Sequence, residues 1–316
     1  MALEGRQFRA FALLGLVMLF WAGNAIVARA VHEQVPPFTL AFIRWTGAFA
    51  FVAPFALAPL RRDRAALVAG WKEVLLLGLL GVGAFNALLY SGLQYSTATN
   101  ALLIQAAIPA TVVIFDRMFF GARSGGLQAV GTLASIIGVL VIVFEGDPAA
   151  AMRLHLGTGD LYLLAAVVVW SLYTVLLRLR PAMSGTSFIA ATFAIGVASM
   201  APFAAWEWSN DLRIIWGWGV AGALLYVSLL PSLVSYFIYN HAAEVVGPVR
   251  AGQAITLMPV FGAFISVILL GEALHPYHVL GIGLIVAGIV LGALALRGRN
   301  AGKGSGGARQ VRSLEG

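Results

Sequence analysis

Few residues in this chain could do chemistry, and those that could recur as matched pairs. Trp21 and Asn24 stand three apart, and Trp170 and Tyr173 repeat that spacing 149 positions later. Asn86 and Tyr90 stand four apart and are echoed by Ser235 and Tyr239 at the same shift of 149. On a helix, residues three or four apart share a face. Each pair therefore sets an aromatic ring beside a hydrogen-bonding group. Gln105 with Pro109, and Gln253 with Thr256 and Pro259, add amides and helix-bending prolines. Such a set suits holding a small molecule better than breaking bonds. Amides such as Asn24 and Gln105 hydrogen-bond a carboxylate, and the face of Trp21 or Trp170 attracts an ammonium.

The bland roles of these residues are also open. A mid-helix Trp away from the membrane interface favours a cavity wall over packing, whereas Phe20 reads as packing. Asn24, Asn86 and Gln105 also serve as hydrogen-bonded glue between helices. Tyr90 and Tyr239 lie off centre, where interfacial anchoring is an equal alternative. Pro109 and Pro259 are the candidate hinges.

What is missing narrows the chemistry further. No Asp, Glu or Lys lies near the middle of any apolar run. A charge at that depth is costly unless it has a function. A neutral, aromatic cavity suits a substrate of zero net charge with an apolar side chain, such as a zwitterionic amino acid. Arg44 reads as a residue that snorkels to the outer surface, or alternatively pairs with Glu33. Asp116 beside Arg117 reads as a local ion pair, and His241 with Glu244 as a pair at a helix end. No metal-ligand cluster or cofactor motif is apparent. His and acidic residues fall at helix ends and loops, so no catalytic constellation forms and an enzyme is not expected. Cys is absent, which removes thiol and disulfide chemistry. A retinal Schiff base needs an intramembrane Lys, and only Lys72 and Lys303 exist, both at or beyond a helix end.

The elements that must position these residues are membrane spans. Hydrophobic residues make up 60% of the chain and charged residues 10%, against roughly 25% charged in soluble domains. A bilayer core of about 30 Å takes roughly 20 apolar residues per helix. Ten runs meet that length, at about 11–31, 38–60, 73–96, 99–120, 125–144, 160–179, 186–206, 217–243, 247–270 and 275–296. Pro36-Pro37, Gly125-Gly126, Pro148, Pro181 and Pro276 fall at or between their ends. The punctuation also repeats: Gly121 meets Gly271 and Pro109 meets Pro259 at a shift of 150. The reading is an all-α integral membrane protein with two five-helix repeats, 11–144 and 160–296, and a disordered cytoplasmic tail, 297–316. The Arg6 and Arg9 start with Ala28-Arg29-Ala30 is reminiscent of a cleavable signal, but its apolar run is too long and has a counterpart in the second half.

An even number of spans puts both termini on one side. If that side is the cytoplasm, 16 of the 20 basic residues lie inside, a clear positive-inside bias. This topology, rather than nucleic acid, explains the net charge of +7. Five spans per half is an odd number, so the halves are inverted, and a substrate site is expected between them. Spans 1, 3, 4, 6, 8 and 9 carry the symmetric polar and aromatic set and are expected to bound it.

The segment Gly92 to Pro109 resembles the signature of EamA domains, and Gly247-Pro248-Val249-Arg250-Ala251-Gly252, Leu257-Met258-Pro259 and Leu270-Gly271-Glu272 resemble the same domain in a second copy. The first copy has Gly121-Ala122 where that pattern has Gly-Glu. The resemblance covers residues 11–296 and implies the drug/metabolite transporter superfamily. Phe20-Trp21-Ala22-Gly23-Asn24 resembles the start of its bacterial aromatic amino acid exporters. It implies an exporter of amino acids, aromatic ones included; a monomer in the cytoplasmic (inner) membrane is the accompanying expectation. Within the same superfamily the alternative cargo is a drug-like cation or another small metabolite.

Overall fold

Hydrocarbon offers no partner for backbone N–H and C=O groups, so each spanning segment must satisfy its own, and helices result. A computed structural model describes residues 2–121, 126–144, 146, 147, 149, 157–246, 254, 255, 257–271, 273–288, 290 and 291. Gln253, Thr256, Glu272 and the expected tail lie outside the described residues, as do the side chains of Glu244 and Pro259. In chain order the long helices are α1 (Ala2–Ala30), α2 (Pro37–Arg62), α3 (Trp71–Tyr95), α4 (Ala98–Phe120), α5 (Gly126–Val143), α6 (Thr158–Leu179), α7 (Gly185–Ser209), α8 (Trp218–Ala242, helical on to Val246), α9 (Leu257–Leu270) and α10 (Pro276–Gly288), with a short helix, Arg64–Ala69, between α2 and α3. Seven of them, α1 to α4 and α6 to α8, are long and apolar enough to cross a membrane among the described residues. No strand occurs among the described residues.

The local departures from α-helix repeat between the halves. α3 winds as a π-helix over Leu79–Ala84, and α8 does so over Leu229–Val234, 150 residues later. A π turn widens the helix and frees carbonyls from the i−4 ladder, which is why it recurs at functional places. Gly121, which ends α4, has φ +63°, and Gly271, which follows α9, has φ +65°. Both are left-handed helix ends, a conformation that glycine adopts without a Cβ penalty. α4 is interrupted by a turn at Ala106 and Ala107, and Pro109 sits in the first turn of its second half. Proline is tolerated there because its missing N–H has no helical partner to lose.

The core is built mainly across the halves. α2 packs along α7, α3 and α4 pack along α6, and α1 packs along α8 and α9. The α2–α7 pair is antiparallel and capped reciprocally by carboxylates. Glu207, near the end of α7, accepts from the Phe38 and Thr39 backbone N–H groups at 2.9 and 2.6 Å and from the Thr39 hydroxyl at 2.7 Å. Asp63, just past α2, accepts from the Ser184 backbone N–H at 2.9 Å and the Ser187 hydroxyl at 2.7 Å at the start of α7. Each carboxylate thus meets a helix N-terminus, where orphan N–H groups and the dipole favour negative charge.

Hydrogen bonding from Ser184, then Ser187, holds the Asp63 carboxyl well below the usual carboxylate range. A depressed folded value stabilises the fold in full above the unfolded value of about 3.9 and is lost as pH falls from there through the folded value. Melting temperature in detergent is therefore expected to fall on acidification below about pH 4, and less steeply in Asp63→Asn. An unchanged pH dependence in that variant would assign the acid sensitivity to other groups.

One expected pairing is corrected by the fold. Asp116 pairs with Arg178 of α6 at 2.6 Å, not with its neighbour Arg117. Adjacent helix residues point about 100° apart, whereas α4 and α6 lie in contact. Arg29, the echo of Arg178, instead donates to the Leu93 carbonyl at 2.7 Å and ties α1 to the end of α3.

Candidate functional site

The centre of the molecule is an aromatic box. Trp21 of α1 and Trp170 of α6 meet edge to face at 5.4 Å between centroids, so the two echoes touch each other. Tyr239 packs on Trp21 at 5.0 Å, and Tyr173 and Phe85 pack on Trp170 at 5.1 and 4.6 Å. Tyr236 stands over both tryptophans at 6.1 and 6.3 Å. Edge-to-face geometry places a positive ring edge on a negative face and is favourable beyond the area buried. The box encloses a cavity of about 30 Å³, room for a water or two. In this conformation the walls have closed on one another.

Beside the rings lies a buried cation. Arg44 starts from α2, only 2% of it is exposed, and it lines the cavity. Its Nε donates to the Ser232 hydroxyl. Its Nη1 donates to Asn86 Oδ1 at 2.7 Å, to the Tyr90 hydroxyl at 2.7 Å and to Asn24 Oδ1 at 3.1 Å. Its Nη2 has one long contact, 3.4 Å, to the Pro231 carbonyl. The guanidinium also stacks on Trp45 at 4.6 Å. Every partner is neutral, and among the described residues no carboxylate pairs with it. Even after relaxation, a buried ion costs several kcal/mol unless an opposite charge compensates it.

The two π segments supply the acceptors. The Pro231 carbonyl takes the Trp21 indole N–H at 2.9 Å, and the Gly81 carbonyl, 150 positions earlier, takes the Tyr236 hydroxyl at 2.9 Å. Ser232 in the α8 segment meets Arg44, and the Val82 carbonyl in the α3 segment accepts from the Asn86 amide at 3.0 Å. Trp170 breaks the symmetry. Its Nε1 is buried without a hydrogen-bond partner among the described residues, and the residue lines the cavity.

The structure brings most of the expected residues together. Trp21, Asn24, Gln105 and Trp170 line the cavity, and Asn86, Tyr90, Tyr173 and Tyr239 form the layer behind it. Tyr90 and Tyr239 are buried in the centre rather than placed at an interface. Gln105 lines the space, but its amide N–H donates back to the Ala101 carbonyl at 3.0 Å. Ser235 turns to its own helix, donating to the Leu230 carbonyl at 2.8 Å, and does not reach the cavity. Gln253 falls outside the described residues, while its neighbours Ile255 and Met258 do line the cavity. His241 is exposed at the end of α8.

The largest correction concerns Arg44. It neither snorkels nor pairs with Glu33, which is exposed. It sits about 10 Å along the helix from Pro37 and turns inward, where the Asn24, Asn86 and Tyr90 oxygens converge. α2 therefore joins α1, α3, α4, α6, α8 and the α9 region around the cavity. An ionisable side chain this deep in a span is itself the signal that points to function. Phe85 and Tyr236, also unforeseen, carry no such signal, because aromatics fill most cores.

Comparison with known proteins gives a consistent picture. The profile of the EamA-like transporter family matches residues 9–144 and again 157–293. An uncharacterized transporter of Archaeoglobus fulgidus is 28% identical over 88% of this chain and 95% of its own length. The uncharacterized transporter YyaM of Bacillus subtilis is 27% identical over 71% of this chain and 73% of its own. A WAT1-related protein of Arabidopsis thaliana, At5g13670, is 25% identical over 94% of this chain and 86% of its own. A solved crystal structure superposes with a TM-score of 0.64 at 22% identity, covering 92% of this chain and 98% of the other, which speaks for the fold alone.

Proposed function

Because the chain belongs to the EamA-like transporter family, we propose that it exports amino acids, aromatic ones included, by alternating access through the central cavity. The observation that carries this reading is the aromatic box itself: aromatic rings from both halves around a small enclosed space, with polar donors at one edge. Once the walls part in an open conformation, a planar side chain fits between them, and the polar edge takes the backbone end of an amino acid. Resemblance of the span 1 start to aromatic amino acid exporters agrees with this cargo. A drug-like cation would face the positive charge of Arg44, which disfavours it.

The accompanying topology is ten spans in two inverted five-helix repeats, both termini cytoplasmic, in the cytoplasmic membrane. The basic residues motivate that orientation. The recurring π segments and left-handed glycines fit two copies of one five-helix unit. The candidate hinges Pro109 and Pro259 would then flex as the halves rock.

Purified protein in liposomes tests the reading. Labelled tryptophan or phenylalanine is expected to exchange by counterflow and to equilibrate without accumulating when only a pH gradient is imposed. The second expectation follows from the cavity lining, which holds no carboxylate among the described residues to trade a proton for substrate. Absence of amino acid counterflow would sink the cargo assignment. Uphill accumulation driven by pH would sink the facilitated mode and send mutagenesis to His241 and Glu244.

A further inference from the structure

We infer that the site recognises its substrate through the carboxylate, with Arg44 as the anion anchor, and that the ammonium is dispensable. The inference deepens the amino acid reading and rests on the central cavity being the transport site.

Charge is the first argument. Arg44 is a full positive charge buried among neutral oxygens, with no carboxylate pairing with it among the described residues. No described carboxylate lines the cavity at all. An anion entering the cavity would find a counter-charge waiting, and a cation would find only like charge and ring faces. Donor geometry is the second argument. Nη2 of Arg44 carries two hydrogens and makes a single contact of 3.4 Å, so it keeps donor capacity. Trp170 supplies a second donor, Nε1; the residue lines the same space, only 3% of it is exposed, and Nε1 has no partner among the described residues. Two buried donors with free capacity, one of them cationic, on one cavity lining match in number the two oxygens of one carboxylate.

A structural strut is the competing role for Arg44, because its bonds tie α2 to α1, α3 and α8. The two roles make different predictions for ligands. A strut is indifferent to which end of the substrate is removed. An anchor ranks the des-amino acid with the amino acid and rejects the amine.

The test is competition against labelled tryptophan counterflow, and binding by thermal shift, on the full-length protein. The probes are tryptophan, indole-3-propionate (which lacks the ammonium) and tryptamine (which lacks the carboxylate). Indole-3-propionate is expected to bind within a few-fold of tryptophan. Tryptamine is expected to bind about 10- to 100-fold more weakly, the size of a lost charge-assisted hydrogen-bond set. Arg44→Gln is expected to erase that ranking, and Arg44→Lys to keep part of it. If Arg44→Gln does not fold, the ranking on the native protein decides alone. Tryptamine binding as well as indole-3-propionate overturns the inference while leaving amino acid transport intact. Binding of indole-3-propionate without tryptophan counterflow overturns the amino acid reading and leaves the anchor in place. Failure of all three probes to bind overturns both.

Discussion

Trp170→Phe is expected to give a protein that is more stable than the wild type and a worse carrier, whereas Trp21→Phe loses on both counts. The two tryptophans are echoes in sequence and neighbours in space, 5.4 Å apart, yet their indole N–H groups fare differently. Trp21 donates to the Pro231 carbonyl in the α8 π segment at 2.9 Å. Trp170 donates to nothing among the described residues, although it is buried. An unmet buried donor costs about 1–3 kcal/mol, and removing it recovers that, less the ring area lost. Removing the Trp21 donor leaves the Pro231 carbonyl, among side-chain donors of the described residues, with the 3.4 Å contact from Arg44. Affinity for substrate should fall about 10- to 100-fold in Trp170→Phe if its N–H meets the carboxylate. The alanine variants should be worse still. A buried Trp→Ala change costs about 3–5 kcal/mol through the cavity it opens. Melting temperature and counterflow affinity, measured on one preparation of each variant, separate these effects. If Trp170→Phe destabilises as much as Trp21→Phe, the Trp170 N–H has a partner after all, such as an enclosed water.

Gly81→Val is expected to disable both folding yield and transport, with Gly81→Ala intermediate. Gly81 lies in the π segment of α3, against the ring of Tyr173. A Cβ added there would stand 2.5 Å from two atoms of that ring. Tyr173 cannot simply swing away, because it is buried and packs on Trp170 at 5.1 Å. The Gly81 carbonyl meanwhile holds the Tyr236 hydroxyl from the other half. Pushing the segment outward strains that bond and pushing the ring inward distorts the box. Overpacking of this kind costs about 1–3 kcal/mol, more for the β-branched side chain. Tyr173→Leu in the Gly81→Ala background should recover part of the lost melting temperature by making room. Wild-type stability and counterflow in Gly81→Val would show that α3 and α6 do not approach this closely in the membrane.

The sequence alone determined the helices and much of the set that meets at the centre. Hydrocarbon forces each span to close its own hydrogen bonds, so length and apolarity suffice to place α1 to α4 and α6 to α8. Glycine and proline punctuate those runs for local steric reasons that need no tertiary contact, which is why Gly121, Gly271 and Pro109 fell where expected. Symmetry and polarity together drew attention to Trp21, Asn24, Trp170 and Gln105, and these do line the cavity. The tertiary structure decided everything that depends on helix rotation and on partners far away in the chain. Arg44 looked like a surface residue because nothing nearby in sequence says which way α2 turns. Its partners come from α1, α3 and α8, up to 188 positions away. Asp116 chose Arg178 over Arg117 for the same reason. The π segments also escaped notice, since a single widened turn leaves no signature in hydropathy. That turn re-aims the side chains after it and presents the carbonyls of Gly81 and Pro231 to Tyr236 and Trp21, so it fixes which residues face the central cavity.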